Sequence, residues 1–151
     1  MLPDLDVVAF SLGIAYGNIL GHRGITHSLA FALVLSAAVA AIACRPPALQ
    51  AMRLRVWLFL FAATASHGLL DAFTDGGRGI ALLAPFSAAR WFFPWRPIEV
   101  SPIGAAFFSQ WGLDVLRSEL IWIWLPCALL TILSWLLRPA HRRSRHGDVL
   151  R

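Results

Sequence analysis

The sequence predicts an all-α integral membrane helical bundle with three clear spans, a short re-entrant or partial N-terminal helix and an ordered outer-face loop. Three observations carry that expectation. Of 151 residues, 58% are hydrophobic and only 14% charged, against roughly 45–50% and 25% in soluble domains. Mean hydropathy is correspondingly high, at +0.67. Apolar runs at 28–44, 56–73 and 120–137 approach the ~20 residues that cross a bilayer core of about 30 Å. The 13 basic residues are all arginine, and eight of them form two clusters beside those runs.

The first element is 7–20, too short for a full crossing and interrupted by Gly13, Gly17 and Asn18, so a re-entrant or interfacial path is expected. The second and third elements, 28–44 and 56–73, are joined by a loop carrying Arg45, Arg53 and Arg55. Arg138, Arg142, Arg143, Arg145 and Arg151 follow the last run. Arginine beside span ends marks cytoplasmic loops, which places 75–118 on the outer face and the C-terminus in the cytoplasm. A net charge of +5 invites a nucleic-acid reading, but this placement argues against one, and no nucleic-acid partner is expected.

On the outer face, DGGRG at 75–79 reads as a turn. The stretch 85–104 carries Pro85, Pro94, Pro97 and Pro102 among Phe86, Trp91, Phe92, Phe93 and Trp95. Proline at that density excludes a regular helix. Aromatics beside Arg90 and Arg96 suit a loop anchored in the headgroups. Residues 105–117 read as an interfacial amphipathic helix. Ser118 is placed to cap the last span, with Glu119 in its first turn. Cys44 and Cys127 read as small buried hydrophobes rather than a disulfide pair. The start, MLPDLDVV, lacks a signal peptide's basic region and cleavage site.

The chemistry-bearing residues interrupt these apolar segments. His67 and Asp71 stand at i and i+4 inside 56–73, so both leave one helix face. Each costs at least about 2.5 kcal/mol at bilayer depth, which marks a functional site. With Thr64 and Asp75 they form a polar stripe. His22 and His27 are spaced so that a continuous helix would splay them by about 140°; convergence needs a break at Gly24, with Thr26 capping the next span. Asp4 and Asp6 pose a harder constraint, because a straight helix from Asp6 to His22 would separate them by about 24 Å. Shared ligation therefore requires 7–21 to fold back. Imidazole with carboxylate suits zinc, or manganese as the alternative. The bland readings are interfacial histidines, helix-start carboxylates, turn chemistry for Asp75 and headgroup anchors for Arg90 and Arg96. His141 and His146 read as solvated.

LPDLD, GHRGITHS, SHGLLDAFTDGGRGIALLAPFS, RWFFPWRPIEVSPIG and SELIWIWLP, in that order, resemble the YdjM-like family, described as LexA-regulated, membrane-bound, metal-dependent hydrolases. The resemblance runs from Leu2 to about Pro126. It implies a multi-pass bacterial inner-membrane protein with His22, His27, His67, Asp71, Asp4 and Asp6 as metal ligands. Family members usually carry an extra apolar segment with a Thr-His pair before the PDxD element, at which this chain starts. A more distant likeness to zinc-dependent phospholipase C proteins implies phosphate-ester substrates.

The expected organisation is a membrane-embedded hydrolase domain over 1–137 and a disordered basic cytoplasmic tail over 138–151. The expected reaction is metal-activated hydrolysis of a lipid-like or phosphate-ester substrate at the outer face. Glu119 or Asp75 would act as general base, and Arg90 or Arg96 would hold an anionic group. The rival readings are a non-enzymatic membrane protein with a structural metal site and a proton or ion relay through His67 and Asp71.

Overall fold

A computed structural model of the chain describes residues 2–137. The expected tail at 138–151, with His141 and His146, lies outside the described residues. The chain divides into two compact units, Met1–Val100 and Ser101–Arg151. The described residues hold helices and turns but no β-strand, the only ladder-like pairs being the isolated bridges Thr74 with Ile98 and Ile80 with Trp91.

The first unit opens with a 3₁₀ turn at Pro3–Val7, whose proline supplies the fixed φ a helix start needs. It runs into the single turn α1, Val8–Ser11. Gly13 then adopts φ +74°, a left-handed conformation that other residues rarely take, and the chain doubles back. Turns lead to a second 3₁₀ turn, Ile25–His27. Helix α2, Leu29–Ala43, begins at Ser28, whose Oγ accepts from the Phe31 N–H at 3.1 Å. The expected cap at Thr26 is thus displaced by two residues, because Thr26 sits inside the preceding turn.

After the short α3, Pro47–Gln50, helix α4 covers Arg53–Asp71. It lies antiparallel to α2 along a seam of small side chains, with Ala32, Ser36 and Ala40 buried on α2 and Gly68 on α4. Small residues let two backbones approach where lipid gives no hydrophobic drive. Gly68 marks the tightest point: a Cβ there would fall 2.6 Å from the carbonyl oxygen of His27.

Residues 72–100 are the proline-rich loop, and they are tied to both helices. Leu29 N–H donates to Leu82 O at 3.1 Å, Ala81 N–H to Arg23 O at 3.0 Å, and Phe93 N–H to Ala72 O at 2.9 Å. Phe73 stacks on Phe93 with centroids 4.1 Å apart. Ile80, Ala81 and Ala84 are buried beneath it, while Phe86, Trp91 and Trp95 stay exposed.

The second unit holds a 3₁₀ turn at Gly104–Phe108 and then one continuous helical run, Gln110–Leu136. It consists of α5, Gln110–Glu119, a π turn at Leu120–Trp124, and α6, Leu125–Leu136. The expected break at Ser118 is absent: its Oγ donates to Val115 O at 2.8 Å, inside the helix. The π turn precedes Pro126, which has no N–H for a normal helical bond, so Leu125 N–H reaches Leu120 O instead.

Of the three expected spans, one is supported by its own length and hydropathy. Among the described residues, Gln110–Leu136 alone is long and apolar enough to cross a bilayer by length and composition. Helix α2 is apolar but has 15 residues, a rise of about 22 Å. Helix α4 has 19 residues, but Arg53 and Arg55 in its first turn and Ser66, His67 and Asp71 near its end shorten the apolar part. Cys44 is buried as expected, whereas Cys127 is exposed; both are free thiols.

Candidate metal centre

Three segments converge in the first unit. The 3₁₀ turn at Pro3–Val7 brings Asp4 and Asp6, the turns before α2 bring His22 and His27, and the end of α4 brings His67 and Asp71. The fold-back required for Asp6 to meet His22 occurs: Asp6 Oδ1 lies 2.6 Å from His22 Nδ1. The His22 and His27 ring centroids are 5.6 Å apart, and those of His27 and His67 are 5.1 Å apart. The α2–α4 seam explains the second approach, because Gly68 packs on His27 O and so sets His67 beside it.

Two groups of donors result, each with its ligand atoms within 4.8 Å of one another: Asp4, His27, His67 and Asp71, and Asp6, His22 and His27. In the first, His67 Nε2 is 3.1 Å from Asp4 Oδ1 and 3.8 Å from Asp71 Oδ2. His27 Nε2 is 3.4 Å from Asp4 Oδ1 and 3.2 Å from Asp71 Oδ2. A tetrahedral ion with ligands at about 2.0–2.1 Å holds them roughly 3.3 Å from each other. Three of these four separations match the edge of such a tetrahedron, and the fourth, His67 to Asp71, is longer. Asp71 Oδ2 is buried and makes no hydrogen bond of good geometry, its nearest neighbour being His27 Nε2 at 3.2 Å; a cation there would compensate a charge that is costly to bury. The residues present fit a divalent ion.

The electrostatics agree. Burial alone would lower the His27 pKa, but the neighbouring carboxylates of Asp4, Asp6 and Asp71 outweigh it and push it up to about 10. Burial would likewise raise the Asp4 and Asp6 carboxyls. Hydrogen bonds from His27 and His67 to Asp4, and from His22, His27 and Thr26 to Asp6, instead hold both well below the usual carboxylate range. Negative charge is concentrated here and compensated by whatever cation is available, a proton included.

The other sequence-expected residues are placed differently. Arg90 donates from Nη1 and Nη2 to the carbonyls of Tyr16, Asn18, His22, Arg23 and Gly79 at 2.9–3.4 Å. Its hydrogen bonds fasten the folded-back segment rather than face open space. Asp75 Oδ1 accepts from Val100 N–H at 2.9 Å, which organises the loop. Arg96 lies over the Phe92 ring at 4.8 Å. Glu119 belongs to the second unit, at the end of α5.

Arg23, not singled out from sequence, is part of the site. It is 5% exposed and takes φ 59°, a costly backbone for a non-glycine residue. Its guanidinium donates to Thr74 Oγ1 at 2.9 Å, Gly76 O at 3.1 Å and Asp71 Oδ1 at 3.3 Å. Holding Oδ1 leaves Oδ2 turned toward the imidazoles. The available signal was its position between two histidines in GHRGITHS. A glycine directly after His67 was the corresponding signal for the close helix approach.

Beyond Ser28 an apolar cleft of about 280 Å³ begins at Leu29 and is lined by Leu33, Phe61, Leu82, Leu83 and Phe86.

The family model for the YdjM inner membrane protein matches residues 1–141. The inner membrane protein YbcI of Escherichia coli (strain K12) is 46% identical over 136 residues, covering 89% of this chain and 78% of that protein. No solved structure matches.

Proposed function

The chain belongs to the YdjM inner membrane protein family, and we propose that within it this protein is a membrane-bound, metal-dependent hydrolase of lipid-like or phosphate-ester substrates. The observation that carries the proposal is the meeting of Asp4, His27, His67 and Asp71 from three separate segments, with the buried Asp71 Oδ2 turned toward both imidazoles. Zinc is the ion of choice, with manganese the alternative. An ion held there supplies Lewis acidity and an ionised water near neutral pH.

The chain's own residues account for the rest. A catalytic ion keeps a position open, which with four protein donors means a fifth coordination position or the release of one donor. Asp4 is the most exposed of the four, with its side chain 38% accessible, and so marks the open side where substrate and water arrive. Arg23 keeps the Asp71 carboxylate aimed inward, and Arg90 holds the folded-back segment in place. Asp75 remains the candidate for general base, and Arg96 for an anionic group. The apolar cleft starting two residues beyond His27 favours a substrate with a hydrocarbon part. The multi-pass arrangement, with the arginine loops cytoplasmic and the centre at the outer face, belongs to the same proposal.

Elemental analysis of the detergent-purified protein tests it. Near-stoichiometric zinc or manganese is expected, lost in His67→Ala, together with metal-dependent cleavage of phospholipid or phosphodiester substrates. A wild type without bound metal sinks the proposal. A metal-loaded wild type inactive toward phospholipids, phosphoesters, esters and peptides favours a structural site.

A further inference from the structure

Asp6 and His22 look from sequence like ligands, yet their geometry differs from that of the first donor group. Asp6 Oδ1 and His22 Nδ1 are 2.6 Å apart, hydrogen-bond length and well short of the roughly 3.3 Å between neighbouring ligands of a tetrahedral ion. Asp6 Oδ2 is also occupied. It accepts from Thr26 Oγ1 at 2.5 Å and Arg23 N–H at 3.2 Å, and it lies 3.2 Å from His27 Nδ1. The Asp6 side chain is 3% exposed. A carboxylate with four partners around it has no lone pair turned to open space.

His27 links the two groups through opposite nitrogens: Nδ1 faces Thr26 Oγ1 at 3.0 Å and Asp6 Oδ2 at 3.2 Å, and Nε2 faces Asp4 and Asp71. A neutral imidazole carries one N–H and one lone pair. We infer that the centre holds one cation, on Asp4, His27, His67 and Asp71, and that Asp6 is a positioning residue: together with the Thr26 hydroxyl, which accepts from Nδ1 and donates to Asp6 Oδ2, it keeps the His27 proton on Nδ1 and so aims the Nε2 lone pair at the ion. His22 completes this support by donating to Asp6 Oδ1. Carboxylates behind metal-bound histidines act in this way, and removing one typically costs 10–100-fold in metal affinity.

The inference rests on the metal-centre reading above, and the experiment separates the two. Zinc stoichiometry and affinity are measured on the detergent-purified full chain for wild type, Asp6→Asn, Asp6→Glu, His22→Gln and His67→Ala. Cobalt-loaded samples provide visible spectra. One equivalent is expected in the wild type and in His22→Gln. Asp6→Asn, whose amide N–H₂ favours the wrong His27 tautomer, should bind about 10–100-fold more weakly while keeping the wild-type cobalt band shape, because no ligand is lost. Asp6→Glu should recover most of the affinity, and His67→Ala should abolish binding. Two equivalents in the wild type falling to one in His22→Gln would overturn the inference in favour of a second ion on Asp6, His22 and His27. An altered cobalt band or unchanged affinity in Asp6→Asn would overturn it too. Should Asp6→Asn fail to fold, the His22→Gln stoichiometry decides. No metal in the wild type defeats both readings.

Discussion

His27 sits where three carboxylates converge, and its raised pKa has a direct consequence for metal uptake. In the metal-free protein it keeps a proton up to about pH 10, and a ligating imidazole must give up its Nε2 proton. Zinc affinity should therefore rise with pH by up to about tenfold per unit for each proton released. Calorimetry in buffers of different ionisation enthalpy should count close to one proton per zinc between pH 7 and 9. The sign for the metal-free fold is opposite. A folded-state pKa above the unfolded value of 6.5 stabilises fully below pH 6.5 and loses that contribution as pH rises through about 10. Arg90 offers a second residue-scale test. Its truncation to Ala strands up to five carbonyls, so the melting temperature in detergent should fall, by a stability loss of about 2 kcal/mol or more. A substrate clamp would instead leave melting unchanged and raise only KM. At this scale His22, His27, His67, Asp71, Asp4 and Asp6 were all legible as a polar set in an apolar chain. Their division into ion-facing and supporting groups was not, because it depends on distances of a few tenths of an ångström. Arg23 was hidden for a similar reason: a buried arginine and a headgroup arginine read alike in one dimension.

The seam between α2 and α4 is the element that builds the centre, and Gly68 is its narrowest point. Gly68→Ala would set a methyl 2.6 Å from His27 O, where no real Cβ is found, so the helices must part. Zinc affinity should drop at least tenfold although Gly68 binds nothing, and far-ultraviolet circular dichroism should show the helices retained. Both helices of the seam were readable from their apolar runs, α4 especially, because its length and its His67–Asp71 spacing follow helical periodicity. The last helix was misread at its start. Ser118 and Glu119 read as a cap, but a serine can satisfy its hydroxyl on a carbonyl one turn back, as Ser118 does on Val115, so the run continues from Gln110. Pro126 lies inside the expected last run and is absorbed by a π turn that single-residue propensities do not foresee. Within that helix, Leu129→Arg should reduce membrane insertion by about 2.5–3.5 kcal/mol, measurable in a glycosylation-based insertion assay. Leu129→Ala should insert normally.

For the molecule as a whole, the arginine pattern predicts which face the centre occupies. A cysteine placed at Gln50, in the Arg45–Arg55 loop, should resist impermeant thiol reagents added outside intact cells, and one at Ser101 should react. The reverse pattern would put the centre at the cytoplasmic surface. The ligands themselves are far apart in the chain: Asp4 meets His27 across 23 positions and His67 across 63. A bound ion would thus act as a reversible staple, closing two long loops at once and removing the freedom they would otherwise have. Chelation should consequently loosen the first two dozen residues before it touches the helical hairpin. Amide exchange there should quicken first, making the N-terminal stretch a built-in gauge of whether the protein carries its ion.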